Sequence, residues 1–194
     1  MSGFSTARQK MVDGQVRPSD VTDIRIINAM LAVPREAYVP ASKRAMAYLD
    51  LDLDLSEGGS ARGFLIKPVV LGKMLQAAEI KETDKVLVVG CGSGYTAAVI
   101  ARFAGPVHNA ESAAGDDANA PFDVIVLNGA TEIVPEKLYG QLRDGGRLVG
   151  VFAMSQPQRA TMVTRSHGDF GNRALFDAAV PVLPGMERVP AFVF

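Results

Sequence analysis

Lys85 to Ala101 reads Lys-Val-Leu-Val-Val-Gly-Cys-Gly-Ser-Gly-Tyr-Thr-Ala-Ala-Val-Ile-Ala, a strand that runs into a glycine loop and then a helix. Val86 to Val89 has no polar break, the mark of a strand covered on both faces. Gly90, Gly92 and Gly94 let the backbone turn sharply and come close to another group. Thr96 to Ala101 is small and apolar, suited to a helix packed tightly on a sheet. A helix start beside such a loop offers free N–H groups to a polar or anionic group. A chain built around this unit is α/β, with parallel strands joined by helices.

The flanking segments predict the same class. Ser5 to Val16 is compatible with a first helix, broken by Pro18-Ser19-Asp20. Asp23 or Thr22 can cap a second helix with Ile24, Ile27, Met30 and Leu31 on one face. Val33-Pro34 ends it, and Ser42 to Ala47 is a further short helical piece. Leu49 to Leu55 alternates leucine with Asp50, Asp52 and Asp54, which favours a charged edge strand over a cation site. Glu57 to Gly63 is a glycine-rich loop before a helix from Pro68 to about Ala78.

Phe122 to Leu127 is a second buried strand, Ile133 to Leu142 a helix with Pro135 at its start, and Arg147 to Phe152 another strand. Ala160 to Ser166 and Ala178 to Leu183 flank His167-Gly-Asp-Phe-Gly, which predicts a closing hairpin. The order fits a mostly parallel sheet with helices on both faces and an antiparallel C-terminal pair. A length of 194 residues suits one domain, with 1–55 a helical extension ending in an edge strand and 56–194 the α/β core.

Lysine and arginine number 20 against 21 acids, and no basic cluster carries interleaved aromatics, which argues against a nucleic-acid surface. Cys91 is the only cysteine, so an intrachain disulfide and a cysteine-type metal centre are both ruled out. Neither His108 nor His167 has ligand spacing with a second donor. The N-terminal residues lack a secretory apolar core, and no run reaches membrane-spanning length. A cytoplasmic protein with no membrane partner is the expectation.

The glycine spacing is G-x-G-x-G, unlike the G-x-G-x-x-G of dinucleotide folds, and is typical of S-adenosylmethionine enzymes. Further segments share that direction. Gln9 to Arg17, Ile24 to Met30, and Val33-Pro-Arg-Glu-Ala-Tyr-Val-Pro40 come first, followed by Ala47-Tyr48 and Ser56-Glu57-Gly58. Val86 to Ala101, Ala120 to Val126, Leu142 to Val149, Leu175-Phe176-Asp177 and Val182-Leu183-Pro184 follow. In this order they make the chain resemble the protein-L-isoaspartate O-methyltransferase family over most of its length.

The resemblance implies a Rossmann-like methyltransferase fold and S-adenosyl-L-methionine as cofactor. The acceptor it implies is the α-carboxylate of isoaspartyl residues in damaged proteins or peptides. By the same resemblance Gly90, Cys91, Gly92, Ser93 and Gly94 shape the cofactor pocket, with Glu111 near the adenine and Asn128 at the rim. For Glu111 a solvated loop residue is an equal reading, as is a plain turn for Asn128; for Cys91, filling a tight turn is the better one. The loop from Glu57 to Ile66 would cover the peptide, with Ser60 the candidate catalytic hydroxyl.

Three positions depart from the family pattern. Val88 stands where the family has an acid that orients the cofactor, and Ile66 stands where it has a serine. Phe103 to Pro121 is too short for the family's second strand, the helix after it and the third strand. The acid that grips the ribose hydroxyls therefore has no counterpart by sequence. A catalytically silent relative, or a methyltransferase with another acceptor, is the alternative these departures leave open. Arg17 and Arg35 read equally well as family residues or as helix-surface salt-bridge partners.

Overall fold

The computed structural model describes residues 3–56, 63–90 and 92–189. The N-terminal region is helical. Helix α1 (Gly3–Met11) runs on through a wide turn at Val12–Val16, and α2 (Ile24–Ala32) starts where the Asp23 carboxylate accepts the Arg25 N–H. Ile27 and Met30 of α2 are buried as the spacing predicts, but Ile24 is 56% exposed because it opens the first turn.

The aspartate–leucine alternation gives a much shorter strand than expected. Only Leu53–Asp54 (β1) pairs, antiparallel with Phe64–Leu65 (β2). The aspartates instead serve as acceptors. Asp52 takes the Lys67 N–H at 2.8 Å, immediately before α3 (Pro68–Ala77), and Asp54 takes the Ser56 N–H at 2.8 Å. Carboxylates beside the unpaired N–H groups of a helix start are stabilising there, so a helix cap outcompetes strand pairing.

The main sheet holds β3 (Val86–Val89), β4 (Val107–Ala110), β5 (Phe122–Thr131), β6 (Leu142–Phe152), β7 (Arg159–Ser166) and β8 (Asp169–Asp177), with α4 (Tyr95–Ile100) after the glycine loop and α5 (Glu136–Gly140) between β5 and β6. Strand order is β4-β3-β5-β6-β7-β8, parallel from β4 to β6 and antiparallel beyond. The all-apolar β3 is central and fully buried, as its sequence demands. Val86, Val88, Val124, Val126 and Val149 face a core shared with α1 to α4; Leu87, Val89, Ile125, Leu127 and Leu148 face a smaller one under α5.

Three expectations are corrected. The segment 103–121 contains a strand, β4, that its polar Val-His-Asn-Ala sequence did not reveal. The closing hairpin is β7 with β8, joined at His167-Gly168, and does not include residues 178–183. Those residues turn back, and Val182 bridges Ala130 beside the end of β5. Leu142, placed by sequence in a helix, begins β6; the helix is the single turn of α5.

Beyond β4 the chain is closed by specific contacts. The buried Gln141 side chain accepts the Asp116 N–H at 2.9 Å and donates to the Ala114 carbonyl and the Asp117 carboxylate, each at 2.7 Å. Ser112 Oγ accepts the Ala114 N–H at 3.0 Å. The short connection is thus pinned from inside, while β4 itself remains at the sheet edge.

Candidate functional site

β3 is followed by a neighbour on one side, β4, and then by β5 on the other, so the chain reverses its direction of travel across the sheet there. Open α/β sheets bind ligands in the crevice outside the strand ends at such a switch point. The glycine loop sits at that crevice. Gly90, Gly92 and Gly94 have φ of +72°, +49° and +80°. At Gly90 the positive φ disfavours a side chain, and a Cβ would also displace the Leu183 methyl groups.

Asn128, at the C-terminal part of β5, is buried rather than at a rim. Its Nδ2 donates to the Gly90 carbonyl at 2.9 Å and the Phe64 carbonyl at 3.2 Å, and its Oδ1 accepts the Thr96 hydroxyl at 2.7 Å. One amide therefore joins the glycine loop, the strand pair before α3 and the helix after the loop. Ser93 Oγ accepts the Tyr95 N–H at 3.3 Å, holding the turn into α4. Ser60 and Cys91 lie outside the described residues.

Glu111 immediately follows β4, and Gly90 donates its N–H to Ala110 at 2.8 Å. The acid thus stands at the end of the strand next to β3, about 20 residues after the first loop glycine. Glu111, Gly63, Phe64, Gly90, Gly92, Leu183 and Pro184 enclose a cavity of about 20 Å³. Along the same two walls a larger groove of about 300 Å³ follows, lined by Ala113, Ala114, residues 133–137, Gly185 and Met186. The C-terminal arm is one wall of both. It is held by bonds from Ala130 N to Pro181 O, Leu183 N to Ala130 O and Glu132 N to Met186 O.

Arg35 is fully buried, contrary to the surface role its sequence allowed. Nε donates to the Ala47 carbonyl and Nη2 to the Ile66 carbonyl, both at 2.7 Å. The guanidinium carbon lies 4.9 Å from the Tyr95 ring centroid. Burial pulls the Arg35 pKa down from its ordinary value and pushes the Tyr95 phenol up. Arg35 opens a short turn after Val33-Pro34, outside any α-helix, so no apolar periodicity in the sequence marked it as internal. Arg17, by contrast, pairs with Asp13 at 3.1 Å on the surface. Val88 and Ile66 are both fully buried in the core.

Among the described residues no cluster of acids, histidines and cysteines could hold a metal ion, and no helix is long and apolar enough to cross a membrane. A sequence profile described as protein-L-isoaspartate(D-aspartate) O-methyltransferase matches residues 6–112 and 106–177.

The chain belongs to the protein-L-isoaspartate O-methyltransferase family.

Within that family it is 32% identical to a protein-L-isoaspartate O-methyltransferase of Koribacter versatilis over 219 residues, covering 98% of this chain and 97% of the relative. A Roseiflexus relative of the same name is also 32% identical, over 96% of this chain and 98% of its own. The Koribacter alignment is longer than the 194 residues of this chain, so the relative carries residues for which this chain has none. The two matched stretches of the family profile overlap over residues 106–112, around β4.

Solved structures share the fold. A protein-L-isoaspartate O-methyltransferase superposes with a TM-score of 0.78 at 21% identity, over 92% of this chain, which spans 66% of that longer one. A Plasmodium falciparum member described as a putative protein-L-isoaspartate O-methyltransferase, in complex with S-adenosyl-L-homocysteine, gives 0.71 at 16% identity over 94% of this chain and 99% of its own.

Proposed function

We propose that the chain transfers a methyl group from S-adenosyl-L-methionine to the α-carboxylate of isoaspartyl residues in damaged proteins. The observation that supports this most directly is the glycine loop at the switch point with an acid at the end of the adjacent strand. In nucleotide-binding sheets that position reads the ribose hydroxyls. Glu111 occupies it, so we assign Glu111 to the ribose rather than to the adenine. Gly90, Gly92, Ser93 and Gly94 would hold the methionine part. Ala113, Ala114, Ile133, Pro135 and Met186 would hold the purine, in a groove of about 300 Å³ that is roomy enough for one.

When bound, the cofactor supplies an electrophilic methyl on a sulfonium. The acceptor carboxylate is ionised at pH 7, well above its ordinary pKa, and needs no strong base. What this chain contributes is placement: the Glu57 to Ile66 loop, through its stem Gly63 to Ile66, would bring the acceptor oxygen into line, and such positioning carries most of the rate. A single cysteine, Cys91, suits a reducing, cytoplasmic setting.

Leu183 is the obstacle, since its methyl groups lie on Gly90 and Gly129 and reduce the loop cavity to about 20 Å³. Ligand entry requires this side chain to swing aside. Calorimetric titration with S-adenosylhomocysteine tests the reading. We expect a micromolar Kd, about −8 kcal/mol, kept or improved in Leu183→Ala and weakened at least tenfold in Leu183→Phe. Absence of binding by both the folded parent and Leu183→Ala would overturn it.

A further inference from the structure

We propose that Arg35 is a positioning residue that sets the acceptor-side stem, Gly63 to Ile66, against the glycine loop. The proposal rests on the reading above of that stem as the acceptor side of the site. Arg35 is a fully buried cation, and no carboxylate forms a salt bridge with it among the described residues. A charge so placed is costly to fold, and a hydrocarbon of similar volume would avoid that cost. What hydrocarbon cannot do is span two carbonyls. The guanidinium fork bonds Ala47 with Nε and Ile66 with Nη2, and its carbon lies over the ring of Tyr95, the first residue of α4. Its third nitrogen, Nη1, and the Tyr95 hydroxyl are both buried and make no well-aligned hydrogen bond, though the guanidinium and the phenol are close enough to interact electrostatically.

Apart from the burial of Leu65 and Ile66 in the core, few contacts hold the stem. Its strand pairing is the two-residue ladder of β2 with β1, extended by the Leu55 N–H to the Gly63 carbonyl at 2.8 Å. Three side chains add to the anchorage: Asn128 on the Phe64 carbonyl, Arg35 on the Ile66 carbonyl and Asp52 on the Lys67 N–H just beyond it. At the Phe64 end of the stem, Gly63 and Phe64 rest against Gly92, where a Cβ on Gly92 would come within 3.5 Å of the Phe64 backbone. A shift at Ile66 therefore moves the stem relative to the glycine loop. The loop itself has holds that do not involve Arg35, from Asn128 and from the Gly90 to Ala110 bond. Lysine cannot replace the fork, since an ammonium is a point donor rather than a planar one.

The test uses the full chain with Arg35→Met and Arg35→Lys. We measure KM and kcat for an isoaspartyl peptide, Kd for S-adenosylhomocysteine, and amide exchange at Leu65–Lys67 against Val86–Val89. Arg35→Met is expected to raise the peptide KM at least tenfold while Kd stays within threefold. Stem amides should exchange at least tenfold faster with β3 unchanged, and Arg35→Lys should recover part of the loss. An unchanged KM in folded Arg35→Met overturns the proposal. So does a joint rise of KM and Kd with general loss of protection, or failure of both variants to fold. If the parent methylates no peptide, the functional reading falls by itself, and the exchange comparison still decides whether Arg35 holds the stem.

Discussion

Asn128 donates from one amide nitrogen to the carbonyl of Gly90 at 2.9 Å, at the point where β3 ends and the glycine loop begins. The same nitrogen reaches Phe64, and the amide oxygen takes the Thr96 hydroxyl. Every polar atom of this buried side chain has a partner, so it acts as an internal clamp.

Replacing it exposes that dependence. Asn128→Ala leaves the buried Thr96 hydroxyl and two part-buried carbonyls without their partner, and a fully buried orphan costs about 1–3 kcal/mol. With partial relaxation, we expect about 2–4 kcal/mol of lost stability by urea unfolding. Asn128→Asp keeps the Thr96 bond but sets a carboxylate against two carbonyl oxygens, and is expected to be no milder.

Glu111 separates two chemistries. If it reads the ribose, Glu111→Ala weakens S-adenosylhomocysteine binding by about tenfold or more, the value of a charge-assisted hydrogen bond at about 1.5–3 kcal/mol. The loss should vanish for a ligand without ribose hydroxyls. A loss that persists with that ligand but disappears when the purine amino group is removed would return Glu111 to the adenine.

The fold's main unit was legible because β3 satisfies every local rule at once: an apolar run, a glycine loop, then small residues on a helix. Family segments placed the rest in order. What escaped notice depended on partners distant in sequence. β4 is too polar to declare itself and forms because β3 offers it a ladder. Leu183 looked like part of a hairpin, yet a parallel bridge from Val182 to Ala130 carries it over the glycine loop. Arg35 has a charge that composition assigns to the surface, while its partners are backbone carbonyls that no side-chain pattern records.

Asp23 links helix capping to pH. The hydrogen bond from the Arg25 side chain, more than any other cause, holds its carboxylate below the ordinary value of 3.8. A depressed pKa means stability that is complete above that value and is lost as pH falls through the lower folded one. Asp23→Ala should cost about 1 kcal/mol at pH 7. Urea midpoints of parent and variant should converge as acid protonates the carboxylate in the parent. A constant gap down to full protonation would show that the cap acts through something other than its charge.

The central claim is that this shortened chain completes the family's chemistry. Its most direct test is transfer of labelled methyl from S-adenosylmethionine to a synthetic isoaspartyl peptide, with the matching normal aspartyl peptide as control. The account predicts a base-labile methyl ester on the isoaspartyl peptide and background label on its twin. No label on either peptide, from folded protein saturated with cofactor, would contradict it.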